Sequence, residues 1–249
     1  MSLKKAKRRF AAVCETGLSR EENQDCVFSS ETGLLFAVAD GMGGGSEGGK
    51  ASAILCRRIA ETERSPALEE VIKAVDAAID TANSEIFEYA TNQGFRQMGS
   101  TLALMAFDGV DGACAAVGHV GDSRVYRIRG GVSELLTIDH SVGEELRALF
   151  AGRKDVSSFS DRSNRLAHVL TRAVGVSAQV KCEWMKIDVS PGDRFLLCSD
   201  GLHDVIRSDE IAGLLSAATP DAAVSALSAE IVRRGAPDNY SIIVIFEGA

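Results

Sequence analysis

Short apolar runs bounded by turn residues dominate the chain. They predict strands at 9–15, 25–30, 34–39, 101–107, 113–120, 124–129, 132–137, 181–188, 194–199 and 240–246. Gly130-Gly131, between two of these runs, is a hairpin signal. A period of three to four takes over in 67–90, where Val71, Val75, Ile79, Ala82, Ile86 and Tyr89 share one face of a helix. Further helices are predicted at 48–62, 208–216 and 220–234, with Pro220 suited to a first turn. The polar stretch 142–167 reads as a helix followed by a surface loop. Strands come in consecutive groups and do not alternate with helices. That predicts an α+β fold of two antiparallel sheets packed as a sandwich with helix pairs outside, and it disfavours a doubly wound parallel sheet. No linker or internal repeat divides the sequence, so residues 1–249 read as one domain.

Composition narrows the function. With 45% hydrophobic residues the chain can bury a full core. A net charge of −8 disfavours a nucleic-acid binder. No apolar run reaches the roughly 18 residues of a membrane span, and the basic start lacks the apolar stretch of a secretory signal. The six cysteines form no C-x-x-C pair, and several lie in apolar runs, so a reduced, cytoplasmic protein is expected.

The chemistry lies in the aspartates. The run Leu34–Ala39 delivers Asp40 to a strand end, followed by Gly41-Met42-Gly43-Gly44. The pattern recurs at Phe195–Cys198 before Ser199-Asp200-Gly201. Asp122 stands in Gly121-Asp122-Ser123-Arg124 and Asp238 in Pro237-Asp238-Asn239-Tyr240. A single Asp-Gly is ordinarily a turn. Four carboxylates at strand edges suit a hard cation, which would relieve their repulsion. Arg20, in a loop that also carries Asp25, could grip two phosphate oxygens.

Two patterns are decoys. Gly44-x4-Gly49-Lys50 nearly spells a nucleotide-binding loop, but Ala51 replaces its Ser or Thr. Cys14-x5-Arg20 has the spacing of a cysteine-dependent phosphatase, yet Glu15, Glu21 and Glu22 surround it with negative charge, and Cys14 reads as a buried strand residue. His119 reads as a satisfied core residue, while His140 and His203 flank the motif loops as possible proton relays. Met98, Met105 and Trp184 read as packing residues.

In order, Arg20-x-x-Asn23-Gln24-Asp25, Asp40-Gly41-Met42-Gly43-Gly44, Gly99-Ser100-Thr101, Val120-Gly121-Asp122-Ser123-Arg124, Asp139-His140-Ser141, Leu170-Thr171-Arg172-Ala173-Val174-Gly175, Ser199-Asp200-Gly201-Leu202 and Asp238-Asn239 resemble the bacterial type 2C serine/threonine phosphatases, the metal-dependent protein phosphatases. The resemblance implies a fold that agrees with the strand count. It implies two tightly bound Mn²⁺ or Mg²⁺ ions on Asp40, Asp200, Asp238 and the Gly41 carbonyl, with Asp25 helping through water. It implies a third ion on Asp122 and Asp200, a substrate phosphate on Arg20, and a flap at about 142–167. The implied reaction is hydrolysis of phosphoserine and phosphothreonine in proteins by a hydroxide bridging two ions. The implied partners are phosphoproteins, such as those of a bacterial serine/threonine kinase, with the enzyme a monomer. The sequence departs from the pattern at Gly45 and at 163–168, where many relatives carry histidines; neither change removes an expected ligand. The alternative is a catalytically silent binding module on the same fold, whose mark would be a missing metal aspartate.

Overall fold

The computed structural model describes residues 8–43, 46–62, 65–95, 97–110, 112–151, 166 and 168–248. Its strands are β1 (Arg9–Glu15), β2 (Asp25–Ser29), β3 (Leu35–Gly43), β4 (Met98–Ser100), β5 (Leu102–Phe107), β6 (Cys114–Val120), β7 (Arg124–Arg129), β8 (Val132–Leu135), β9 (Glu183–Asp188), β10 (Arg194–Cys198) and β11 (Tyr240–Phe246). The helices are α1 (Glu47–Ala60), α2 (Leu68–Gln93), α3 (Val142–Phe150), α4 (Asp200–His203), α5 (Ser208–Leu214) and α6 (Pro220–Arg233). One sheet runs β1-β11-β10-β7-β8 and the other β2-β3-β5-β6-β9, with β4 added to β3. Every pairing is antiparallel.

Antiparallel strands usually alternate apolar and polar residues because one face meets water. Here the central strands are apolar throughout, since both faces are covered. Phe36 and Val38 of β3, Phe195 and Leu197 of β10, and Ile243 and Ile245 of β11 fill the space between the sheets. Their neighbours Leu35, Ala37 and Ala39 face α1 and α2. Leu196, Cys198, Ile242 and Val244 face the C-terminal helices. The result is the expected α-β-β-α layering. A chain of edge-on rings, Phe10–Phe36–Phe107–Phe195, with centroids 4.9, 6.1 and 5.7 Å apart, crosses the central layer.

Local signals account for several boundaries. Gly130 and Gly131 have φ of 60° and 81°, the left-handed values a two-residue hairpin needs between β7 and β8. Ser141 caps α3 and Thr219 caps α6, each accepting a backbone N–H at 3.2 Å. Trp184 packs as expected: its indole covers Gly118, and its Nε1–H donates to Asp76 at 2.8 Å. Two features differ from the sequence reading. β3 continues through Asp40 to Gly43 because Met98–Ser100 pairs with it, and so short a strand carries little pattern of its own. α4 is a single turn that begins on Asp200. The polar stretch begins with α3 as predicted, while most of the expected flap, 152–165 and 167, lies outside the described residues, as do Gly44 and Gly45.

Phe107 touches rings on both sides of the central layer. Phe107→Ala should lower the unfolding free energy by about 3–5 kcal/mol, measured by urea denaturation. Val132→Ala, on the exposed edge strand, should change it by no more than about 0.5 kcal/mol. Equal effects would mean that the ring chain is not a core element.

Candidate metal centre

Four connections end at the same edge of the sandwich, and each brings an aspartate. Asp25 opens β2 and stands opposite Asp40 of β3. Asp200 follows β10, Asp238 precedes β11, and Asp122 lies between β6 and β7. Asp40 and Asp200 form a shared wall between two cavities. The first, of about 480 Å³, is also lined by Asp238, Gly41, Arg20, Glu21 and Glu22. The second, of about 360 Å³, is lined by Asp122, Thr101, His168 and Leu170. The sequence-predicted residues therefore converge with two exceptions: Asp122 reaches only the second cavity, and Asp25 borders neither, standing behind Asp40.

The backbone here is fixed from several sides. Asn239 accepts from Gln24 N–H at 3.0 Å and donates to Glu22 O at 3.1 Å, tying the Arg20–Asp25 loop to the β11 entry. Ser199 Oγ donates to Asp25 Oδ2 at 2.8 Å and accepts from Ser241 N–H at 3.0 Å. Asp40 N–H donates to Thr101 Oγ1 at 3.1 Å, and Thr101 N–H returns to Asp40 O at 2.8 Å. Close approach requires glycine twice. A Cβ on Gly41 would lie 2.0 Å from Gly48 O, and one on Gly201 would lie 1.9 Å from Asn239 O.

The electrostatics are those of like charges held together out of water. Burial, followed by the neighbouring carboxylates, pushes Asp40 well above the usual carboxylate range and raises Asp200. Burial pushes Asp25 up to about 6. Burial and then Asp200 push Asp122 up to about 7. Asp200 Oδ1 is buried with no donor reaching it among the described residues. An oxygen-only donor set with such an orphaned atom fits a hard divalent cation.

Arg20 stands at the rim, with Nη2 2.6 Å from Asp238 Oδ2 and about half of its side chain exposed. Asp238 Oδ1 accepts from Asn239 N–H at 2.8 Å. The sequence reading foresaw Arg20 at the site but not this ion pair. Arg124, two residues after Asp122, grips Asp139 with two bonds of 2.9 and 2.6 Å. Asp122 is left facing the second cavity, its own carbonyl accepting from His203 Nε2 at 3.0 Å.

Other histidines are structural. His119 donates from Nε2 to Ile138 O at 2.8 Å and stacks on His140 at 4.5 Å. Gly121 N–H donates to His140 Nδ1 at 3.1 Å, so the proton of this neutral ring sits on Nε2, facing Glu183 at 3.2 Å. His119, His140 and Glu183 are close enough to suggest a cation site. A metal on His140 Nε2 would need the opposite tautomer, and stacked rings do not aim both lone pairs at one point. His168, Asp200 and Asp204 form another close group beside the second cavity. Both decoys are otherwise engaged. Cys14 accepts from Asn23 Nδ2 at 3.3 Å, burial pushing its thiol up, and Lys50 lies over the Tyr89 ring at 3.4 Å.

The residues missed in the sequence are the organisers Asn239, Ser199 and Thr101, and Ala236. Ala236 has φ 38°, and this left-handed kink turns the chain into Asp238. The first three lie inside recognised motifs, which was the available signal. Nothing about an alanine advertises a left-handed backbone.

Comparison with known proteins agrees with this geometry. The family model described as Protein phosphatase 2C matches residues 18–235. Serine/threonine protein phosphatase PstP of Mycobacterium tuberculosis is 31% identical over 239 residues, 95% of this chain and 44% of that protein, so the chain spans less than half the length of this relative. Serine/threonine phosphatase stp of Listeria innocua is 30% identical over 90% of this chain and 89% of its own. Among solved structures, PppA of Pseudomonas aeruginosa superposes with a TM-score of 0.84 at 34% identity, covering 96% of this chain and 97% of its own. The catalytic domain of PstP in complex with two manganese ions superposes at 0.82 with 29% identity, covering 97% and 99%. The carboxylate centre thus sits at one edge of the fold that these solved structures share, and the chain belongs to the protein phosphatase 2C family.

Proposed function

We propose that this chain is a metal-dependent serine/threonine protein phosphatase. The observation that carries the reading is the Asp40–Asp200 wall, with its orphaned oxygen, opening to a cavity whose rim holds Arg20. Asp40, Asp200, Asp238 and the Gly41 carbonyl would hold two Mn²⁺ or Mg²⁺ ions, with Asp25 supporting them through water. The PstP relative solved with two manganese ions supports that choice. Bound there, the ions supply Lewis acidity that lowers the pKa of a water and neutralises developing phosphate charge. The chain's own residues do the rest. Arg20 leaves Asp238 to fork two phosphate oxygens, orienting the ester in line with the attacking water. Water is the nucleophile in this reading, which calls for no phosphoenzyme. Asp122 and Asp200 would hold a looser third ion in the second cavity.

The substrates are phosphoserine and phosphothreonine proteins, such as those of a bacterial serine/threonine kinase, in cytoplasmic signalling. Residues 1–249 act as one monomeric catalytic domain with a flap at about 142–167. Among the described residues no helix is long and apolar enough to cross a membrane. A silent binding module is disfavoured because every expected metal aspartate is present and buried or half-buried at the site.

Chelation should abolish hydrolysis of an aryl phosphate reversibly, and Asp200→Asn should lower kcat by several orders of magnitude in saturating Mn²⁺. Full turnover in either case would sink the reading. Metal removal should also change the pH profile of stability. Asp25 and Asp122 titrate at about 6 and about 7 in the fold against 3.8 as the ordinary value, so the folded chain binds more protons than the unfolded one between those limits. The Tm of chelated protein should therefore fall as pH rises from 4 to 7. Excess Mn²⁺ should flatten that slope, and a rising Tm in chelator would contradict the carboxylate assignment.

Arg20→Ala should raise KM and weaken inhibition by inorganic phosphate about tenfold to a hundredfold, the equivalent of about 1.5–3 kcal/mol for a charge-assisted bond. Mn²⁺ affinity by calorimetry should hold or rise, since Asp238 loses a competing cation. A collapse of Mn²⁺ binding would instead make Arg20 a structural ion-pair residue.

Asp122→Ala should keep the fold and the tight ion pair but lose much of the turnover. Anomalous scattering from crystals grown in high Mn²⁺ should show a weak third ion near Asp122. No third ion together with unchanged kcat would leave Asp122 a turn residue.

A further inference from the structure

Two thiols meet on the far side of β2 from the cavities. Side chains alternate along a strand, so Cys26 points toward the helix layer while its neighbour Asp25 points toward Ser199 on the other sheet. Cys26 packs against the cluster that contains Cys56 of α1, and the two thiols are near enough to perturb each other. A second contact frames the pair. Ser52, one turn before Cys56, donates to Gln24 O at 2.6 Å, and Gln24 is two residues before Cys26. Helix and strand are therefore held in register at the thiols. Cys26 is partly exposed and Cys56 is buried, and neither is in a disulfide. The reaction proposed above uses neither thiol.

We propose that Cys26 and Cys56 are a redox-modification site that hydrogen peroxide closes to a reversible disulfide, stapling α1 to β2 behind the metal centre. The partly exposed Cys26 sulfur attacks the peroxide O–O bond, giving a sulfenic acid and releasing one water. The Cys56 sulfur then attacks the Cys26 sulfur. The S–O bond breaks, and the oxygen leaves as a second water with the remaining thiol proton. Two thiols are oxidised to one disulfide, and one peroxide is reduced to two waters.

The location gives this bond a consequence. Disulfide sulfurs stand about 2.05 Å apart, closer than any two non-bonded thiols, so closing the bond draws α1 and β2 together. Cys26 adjoins Asp25 in sequence, and α1 follows the segment that carries Asp40 and Gly41. Gly41 already touches Gly48 of α1 with no room for a methyl group. Movement of α1 is therefore passed directly to the backbone that presents the carboxylates. The oxidised chain binds Mn²⁺ more weakly and turns over more slowly.

The test is peptide mapping of the full chain after peroxide and alkylation of the remaining thiols. The expected result is a cross-linked peptide joining Cys26 to Cys56, reversed by dithiothreitol. The bond should persist in Cys14→Ala and vanish in Cys56→Ala, with Cys56→Ser as a second variant should the first fold poorly. Calorimetry with Mn²⁺ alone should show several-fold weaker binding to the oxidised wild-type chain and no change on peroxide treatment of Cys56→Ala. The bond is read by mass whether or not the chain is a phosphatase, so its failure is separable from failure of the activity. A bridge to Cys14 instead, sulfinic acid on Cys26 without a bridge, or six free thiols after treatment would overturn the proposal.

Discussion

Everything at the working edge of this sandwich answers to one constraint: several carboxylates are held close together where water cannot screen them. Left alone, such a group ejects its members or takes up protons, and the raised values of Asp25, Asp40, Asp122 and Asp200 express that tendency. The fold resists ejection by anchoring backbone as well as side chains. Asn239 clamps the loop before Asp25, Ser199 holds Asp25 itself, and Thr101 brackets Asp40. The glycines permit the contacts that bring Asp200 and Asp238 within range of one another. The balance is a cluster anchored from several sides whose charge asks for cations.

The layered architecture supplies the stiffness this requires. Because both faces of the central strands are buried, a shift of one aspartate would have to drag a fully packed strand with it. Arg124 shows the same economy of design at the second cavity. By pairing with Asp139 it fastens the start of β7 to the Asp139–Ser141 loop, while His140 takes the Gly121 amide. Asp122 is thus positioned by its neighbours and faces the second cavity.

Much of this was legible in the sequence, for a physical reason. Uninterrupted apolar runs bounded by glycine and aspartate encode strands covered on both faces, and Asp40, Asp122 and Asp200, each just past such a run, mark the edge where they converge. Arg124–Arg129 and Tyr240–Phe246 have the same bounds in the fold as in the pattern. What escaped notice depends on contacts distant in sequence. β4 exists only because β3 offers it an edge. The Arg20–Asp238 pair joins residues 218 positions apart. The tautomer of His140 is decided by one amide across a loop, and Ala236 adopts a backbone angle that its side chain does nothing to announce.

That long-range pairing also bears on how the molecule comes into being. Strand β11 lies between β1 and β10, so the first and the last strands among the described residues are neighbours in one sheet. During synthesis β1 must wait, its partner edge open, until β11 has left the ribosome. Asp238 arrives only then, beside a loop made more than two hundred residues earlier. Until β11 is made and pairs, the cluster lacks both Asp238 and the Asn239 clamp on the Arg20–Asp25 loop, so the full donor set is assembled in one late step.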